Sequence, residues 1–377
     1  MTKRLFISLF LFCAICCLQA QEIATDPQAT PETKAMYQYL LETQKSGHIL
    51  LGHHDALAYG HGWRDTPGKS DVKEMTGSHP AVCSMDFGKI EHNAEKNING
   101  IPFDKMRELI RYAYQRGQTI MMCWHVDNPK TYAPGKPYPQ GTSWDNSDNT
   151  VVREIIQEGS PLNTTFKTWL DRLAAYILSL TDEQGKPIPF IFRPWHEHTQ
   201  SWNWWGSKCA TDEEFRALWE FTLRYLRDEK GIHQMIYAIS PQMDEVYPDT
   251  QKRLTYRWPG DKLVDFIGMD CYHGRNKKAF ASNVKAIAEL SVQKQKPCGI
   301  TETGIEGVNY PAYFTEEVQP ALENNPVSLI VFWRNDSRSK THHFLPYKGH
   351  PAEADFVRFT QWPVILLEKD LQTGVSQ

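Results

Sequence analysis

Cysteine is scarce in this chain of 377 residues, with eight in all. Three of them, Cys13, Cys16 and Cys17, sit in the N-terminal apolar run. The other five, Cys83, Cys123, Cys209, Cys271 and Cys298, are an odd, widely spaced set, which excludes a disulfide framework. Four lie in or beside short apolar runs, where a buried thiol is expected. No run of five basic residues occurs, and the net charge is −4, so nucleic acid is excluded as a partner. Beyond the N-terminus no apolar stretch approaches the roughly 20 residues of a stable membrane span. A glycine-rich phosphate loop is missing: Gly60-His61-Gly62 lacks the strand and helix such a loop joins. Ser240 lacks the flanks of a nucleophile elbow. Repeats and low-complexity linkers are absent too. With 41% hydrophobic and 23% charged residues, disorder and collagen-like architecture are excluded.

Residues 1–20 read as a leader. Lys3 and Arg4 precede the apolar run Leu5 to Leu18, and Ala20 follows, which is a signal-peptide pattern. Cleavage after Ala20 is expected, leaving residues 21–377, with net charge −6, exported to the periplasm or the outside. Cys16 and Cys17 raise lipid anchoring as an alternative, although neither has the small-residue context before it.

Aromatic residues are abundant: 12 Trp, 16 Tyr and 17 Phe. Many of the tryptophans stand beside polar residues rather than in apolar periodic segments. Indole faces stack on the C–H faces of sugar rings, so this is a first pointer to carbohydrate.

Eight short apolar runs are expected as strands buried on both faces. They are Ile49–Leu51, Ala81–Phe87, Thr119–Trp124, Phe190–Arg193, Met235–Ile239, Val264–Met269, Gly299–Thr301 and Ser328–Phe332. Helical periodicity falls between them. Phe103, Met106, Leu109, Ile110 and Ala113 mark one helix. Phe166, Trp169, Leu173, Tyr176, Ile177 and Leu180 mark another, with Asn163 and Thr164 as expected caps. Thr211 and Glu214 form a capping box before Phe215 and Leu218. Val284, Ile287, Ala288 and Val292 mark a fourth, while Gln242–Pro259 signals none clearly. Eight strands with intervening helices fit a (β/α)8 barrel, here a single catalytic domain over 21–377, with a doubly wound sheet as the alternative. Polar clusters decide for the barrel. Nearly every run ends in one, and carboxyl ends of strands are where a barrel builds its site. The long, turn-rich stretch Pro129–Pro161 would wall a cleft.

Glu197 and Glu302 each follow a buried strand, the fourth and the seventh. A carboxylate at a barrel rim needs either a cationic neighbour or a chemical role. Two of them facing each other match glycoside hydrolysis, one donating a proton and one attacking or activating water. Trp202, Trp204 and Trp205 follow Glu197 closely and are expected as sugar-contacting walls.

These residues carry a resemblance. Arg193-Pro194-Trp195-His196-Glu197, then Trp202-Asn203-Trp204-Trp205-Gly206, Thr301-Glu302-Thr303-Gly304 and Phe332-Trp333-Arg334-Asn335 resemble glycoside hydrolase family 26. This is a family of retaining (β/α)8 glycosidases, mostly β-mannanases. The resemblance runs from about Gly47 to Trp362. It implies Glu197 as general acid/base and Glu302 as nucleophile. It implies substrate-binding roles for His125, Trp144, Arg193, His196, Trp202, Tyr272, Trp333 and Arg334. Of these, Tyr272 would hydrogen-bond the nucleophile, Trp202 line the sugar just past the cleavage point, and Trp333 form the platform under the reacting sugar. His198-Thr199-Gln200 departs from the commoner family pattern, which bears on subsite preference.

The resemblance implies no cofactor and no metal. The expected partner is β-mannan or manno-oligosaccharides, cleaved by double displacement at β-1,4 bonds, by a monomer. Mixed-linkage β-glucan and β-1,3-xylan are alternative substrates within the family. An inactive oligosaccharide-binding barrel is the non-enzyme alternative. A metal-dependent hydrolase is the rival suggested by His53, His54, His125, His196 and His198. Adjacent strand residues point to opposite sides, however, so His53 and His54 cannot face one ion. Residues 129–160 and Arg275–Lys278 are the loops that could block a cleft and turn endo action into release of mannobiose.

Overall fold

The computed structural model describes residues 23–371; the expected leader lies outside them. Eight parallel strands close into a barrel. They are β1 (Ile49–His54), β2 (Val82–Asp86), β3 (Thr119–Cys123), β4 (Phe190–Arg193), β5 (Met235–Ile239), β6 (Phe266–Cys271), β7 (Cys298–Thr303) and β8 (Leu329–Phe332). Each strand pairs with the next, and β8 pairs with β1 over Leu50–Leu329 to His53–Phe332. The fold is the expected (β/α)8 barrel.

The strands are buried on both faces, and their residues alternate between two environments. Leu50, Val82, Met121, Ile191, Ile236, Phe266 and Leu329 pack together inside the barrel with the N-terminal residues Ile23, Tyr37 and Leu40. Their neighbours Leu51, Met122, Phe192, Ile267 and Ile300 pack outward against helices.

The helices follow the apolar periodicity with local corrections. Phe103–Gln115 buries Phe103, Met106, Ile110 and Ala113 as expected. The helix Pro161–Leu178 is capped by Ser160, whose hydroxyl accepts from the Asn163 backbone. Asn163 and Thr164 are therefore not its caps. Pro161 suits the first helical position, and the buried Asn163 side chain donates to Ile155 O at 2.7 Å instead. Thr211 and Glu214 form the capping box of Asp212–Arg224. Val292 is 71% exposed on Lys277–Lys294, because its position falls outside the buried stripe. The stretch after β5 holds only the short helix Thr250–Leu254. All five cysteines of the described residues are buried and free.

Candidate active site

Counting by twos from the interior residues brings the strand-end polar groups into the mouth of the barrel. From Leu50 the count reaches His54, from Val82 Asp86, from Ile191 Arg193, and from Phe266 Asp270 and Tyr272. Glu302 breaks the count. From Ile300, which faces a helix, it falls on the outward side. The β6–β7 register shifts here, with Met269 opposite Ile300 but Asp270 opposite Glu302. Thr301 is thus an extra residue in β7, a bulge, and it turns both Thr301 and Glu302 inward. Gly304 just beyond has φ +134°, and a Cβ there would stand 2.9 Å from Phe344.

Glu197 reaches the mouth by another device. It lies beyond β4 in a turn where Trp195 and Glu197 both take left-handed backbone angles, φ +54° and +56°. Such angles are unfavourable for residues with a Cβ and cluster at functional sites. The turn is braced. Glu197 N–H donates to Ser240 O at 2.7 Å. Trp205 Nε1 donates to His196 O at 2.8 Å and Trp204 Nε1 to Val126 O at 3.1 Å. Both indoles are fully buried against Trp195. They are therefore core rather than the expected sugar walls, since their N–H groups find backbone partners inside. Only Trp202 of the three is half-exposed.

An oxygen of Glu197 lies within 4.8 Å of an oxygen of Glu302, with Asp270 equally close. The surroundings of the two glutamates differ. Glu302 is buried, accepts from Arg193 on Oε1, and accepts from the Tyr272 hydroxyl on Oε2 at 2.7 Å. Arg193 is itself fully buried and also donates to Asp270 at 2.6 Å. Glu197 has no cation in contact; its Oε2 accepts from Trp202 Nε1 at 2.7 Å. Burial, followed by the Glu302 and Asp270 charges, pushes the Glu197 carboxyl well above its ordinary value. Burial also raises Asp270, to about 7, against the pull of Arg193. A carboxyl that keeps its proton beside one held by a guanidinium and a phenol is the arrangement that gives an acid and a nucleophile.

The histidines form a chain beside this pair. Asp86 binds His125 Nδ1, and His125 Nε2 meets His196 Nε2 at 3.0 Å. Trp144 lies 5.2 Å from the His125 ring, centroid to centroid. Trp333 stacks on His54 at 4.3 Å and stands 6.2 Å from His125. Arg334 follows Trp333 and binds Asp336 at 3.1 Å. His198 turns away, stacked on Phe215 with Nε2 on Tyr256 O. His53 faces Asp71 and Asn335, away from His54. The ten site residues expected from the sequence therefore converge on one mouth. Asp86 and Asp270 join them. Each is an acid at or near the carboxyl end of its strand, and the count by twos from Val82 and Phe266 is the signal that places both inside.

Residues 25–317 match the profile of glycosyl hydrolase family 26. A β-mannanase of that family from Bacteroides ovatus superposes with a TM-score of 0.84. It is 38% identical, over 90% of this chain and 96% of that one.

The chain belongs to glycosyl hydrolase family 26.

Among curated relatives, the mannan endo-1,4-beta-mannosidase of Bifidobacterium adolescentis is 29% identical over 89% of this chain. This family 26 chain spans about a third of that relative's length, 34%. The Bacillus subtilis mannan endo-1,4-beta-mannosidase is 23% identical over 83% of this chain and 82% of its own. The mouth assembled above is thus that of a family 26 barrel, with Glu197 just beyond β4 and Glu302 in β7.

Proposed function

We propose that the protein is a retaining β-mannanase that hydrolyses β-1,4-mannosidic bonds in mannan, galactomannan or glucomannan. The carrying observation is the approach of Glu197 and Glu302 to within 4.8 Å, in opposite electrostatic settings. Retaining enzymes hold their carboxyls about 5–5.5 Å apart, whereas inverting enzymes leave about 6.5–9.5 Å for a water. The names of the relatives support the substrate.

The chemistry follows from the contacts. Ionised Glu302, held by Arg193 and Tyr272, attacks the anomeric carbon. Glu197 gives its proton to the departing glycosidic oxygen as that bond breaks. Glu302 is now an ester and carries no charge, so the Glu197 carboxyl becomes more acidic than before. It then takes a proton from water, whose oxygen attacks the anomeric carbon from the other face. Glu302 leaves as a carboxylate, and Arg193, still neutralised by Asp270, is in place to receive it. Trp202 and Trp333 offer faces to the sugars on either side. Arg334 would bind the next sugar on the non-reducing side.

Export to the periplasm or outside is part of the same reading, supported by Lys3, Arg4 and the apolar run to Leu18. A product time course on linear mannan, glucomannan and mixed-linkage β-glucan tests the activity. Mixed oligosaccharides from mannan at early times support endo cleavage, and mannobiose alone supports action from chain ends. Hydrolysis of glucan but not mannan overturns the substrate, and silence on all three leaves the binding-protein reading.

A further inference from the structure

Among the described residues, Tyr138 is the one Phe, Tyr or Trp side chain that stands mostly in solvent, 72% exposed. Leaving an aromatic face in water forgoes the burial that such rings otherwise gain, so its position calls for a reason. That position is on the loop after β3, next to the candidate active site. The ring lies 5.9 Å from Trp144, which lies 5.2 Å from His125, which lies 6.2 Å from Trp333. Four rings thus run from the catalytic floor outward along one wall, and Tyr138 is the outermost.

The loop that carries it is firmly built. Asp145 accepts from Thr131 Oγ1 at 2.6 Å and from Gly141 N at 2.7 Å. Asn128 Nδ2 reaches Asp145 O at 3.0 Å. Asn146 Nδ2 donates to Ser201 O at 2.8 Å, next to Trp202. Gly141, at φ +74°, lies so close to the Tyr132 backbone that a Cβ would stand 2.9 Å from its Cα. The exposed ring is therefore presented by an anchored loop continuous with the site.

We propose that Tyr138 is the platform of an additional, outermost sugar subsite, occupied by a hexose of the bound polysaccharide beyond those at Trp144. This rests on the mannanase reading and adds to it a residue that sets preference for chain length. One face of a pyranose presents axial C–H groups that a phenol ring can cover. The sugars nearer the scissile bond do not reach it.

The test compares kcat/KM on mannohexaose and mannotriose for wild type, Tyr138→Ala and Tyr138→Phe. Aromatic contacts of this kind are worth about a three- to ten-fold change. In Tyr138→Ala the advantage of the longer chain is expected to shrink by about that factor, through KM. Tyr138→Phe is expected to keep most of it, since the face rather than the hydroxyl binds. An unchanged ratio in Tyr138→Ala, with mannan still hydrolysed, overturns the subsite and leaves the activity standing. Should the wild type hydrolyse no mannan, calorimetric titration of manno-, cello- and xylo-oligosaccharides reads the subsite separately. No length dependence of binding in any series that Tyr138→Ala reduces then overturns it.

Discussion

Tyr272 donates its hydroxyl to the one oxygen of Glu302 that Arg193 does not hold, at 2.7 Å. Burial, then the charge of Glu302, keeps the phenol well above its ordinary value, so it remains a donor at working pH. Hydrogen bonds to a charged group are worth about 1.5–3 kcal/mol. Tyr272→Phe is therefore expected to lower kcat/KM on an aryl β-mannobioside by about 10- to 100-fold. An unaltered rate would show that Arg193 alone orients the nucleophile.

Replacing each glutamate should separate its role. Glu302→Ala is expected to abolish turnover, and added azide to restore it with formation of the α-mannosyl azide. Glu197→Ala should lose about 10²–10⁴-fold on mannan yet still release good leaving groups, with azide yielding the β-product. The same azide anomer from both variants contradicts the assignment.

The raised Glu197 carboxyl also predicts a stability effect. The folded chain holds that proton more tightly than the unfolded chain, whose carboxyl lies at about 4.3. This contribution is fully present below the unfolded value and is lost as pH rises through the folded one. Glu197→Gln, which needs no proton, should be inactive but melt about 1–2 °C higher than wild type at neutral pH. The gain should vanish at pH 4. An equal gain at both pH values would sink the argument.

Asp86 favours the charged form of His125. Burial works to lower the imidazole, but the charge and hydrogen bond of Asp86 outweigh it and the net shift is upward. His196, His54, Glu302 and Arg193 also face His125. Asp86→Asn should let His125 lose its proton within the range of an ordinary histidine, so kcat/KM falls from about pH 6 upward. In a His125→Gln background the same change should move no pH limb. A shift that persists there would assign the effect to another group.

The indoles beyond Glu197 should divide sharply. Trp205→Ala empties a buried site and removes the bond to His196 O, so a loss of about 3–5 kcal/mol is expected in denaturant unfolding. Trp202→Ala should leave the unfolding midpoint nearly unchanged while raising KM. Equal destabilisation by both would place Trp202 in the core with its neighbours.

Much of this molecule was legible in one dimension. Phe190–Arg193 and Met235–Ile239 are strands with the expected ends, because continuous apolar runs bounded by polar residues leave little choice of span. The capping box at Thr211 was equally plain, being a local hydrogen-bond pattern. Trp204 and Trp205 were misjudged for the opposite reason. Their burial depends on Val126 and His196 carbonyls, which belong to distant or turned segments. Asn163 read as a cap because the true cap, Ser160, lies three residues earlier, ahead of Pro161 and outside the apolar periodicity that marks the helix.

The sequence by itself determined the barrel and the polar ring at its carboxyl end, and it singled out Glu197 and Glu302. Period-two alternation and apolar runs are local properties, so they survive without coordinates. Only the tertiary structure decided how those glutamates face each other. Alternation would send Glu302 toward a helix, and the bulge at Thr301 turns it inward. Left-handed backbone at Trp195 and Glu197 swings the other carboxyl over the mouth. A bulge and a strained turn exist because the neighbouring strands, the buried tryptophans and Ser240 over-determine them, and no short stretch of chain contains those partners.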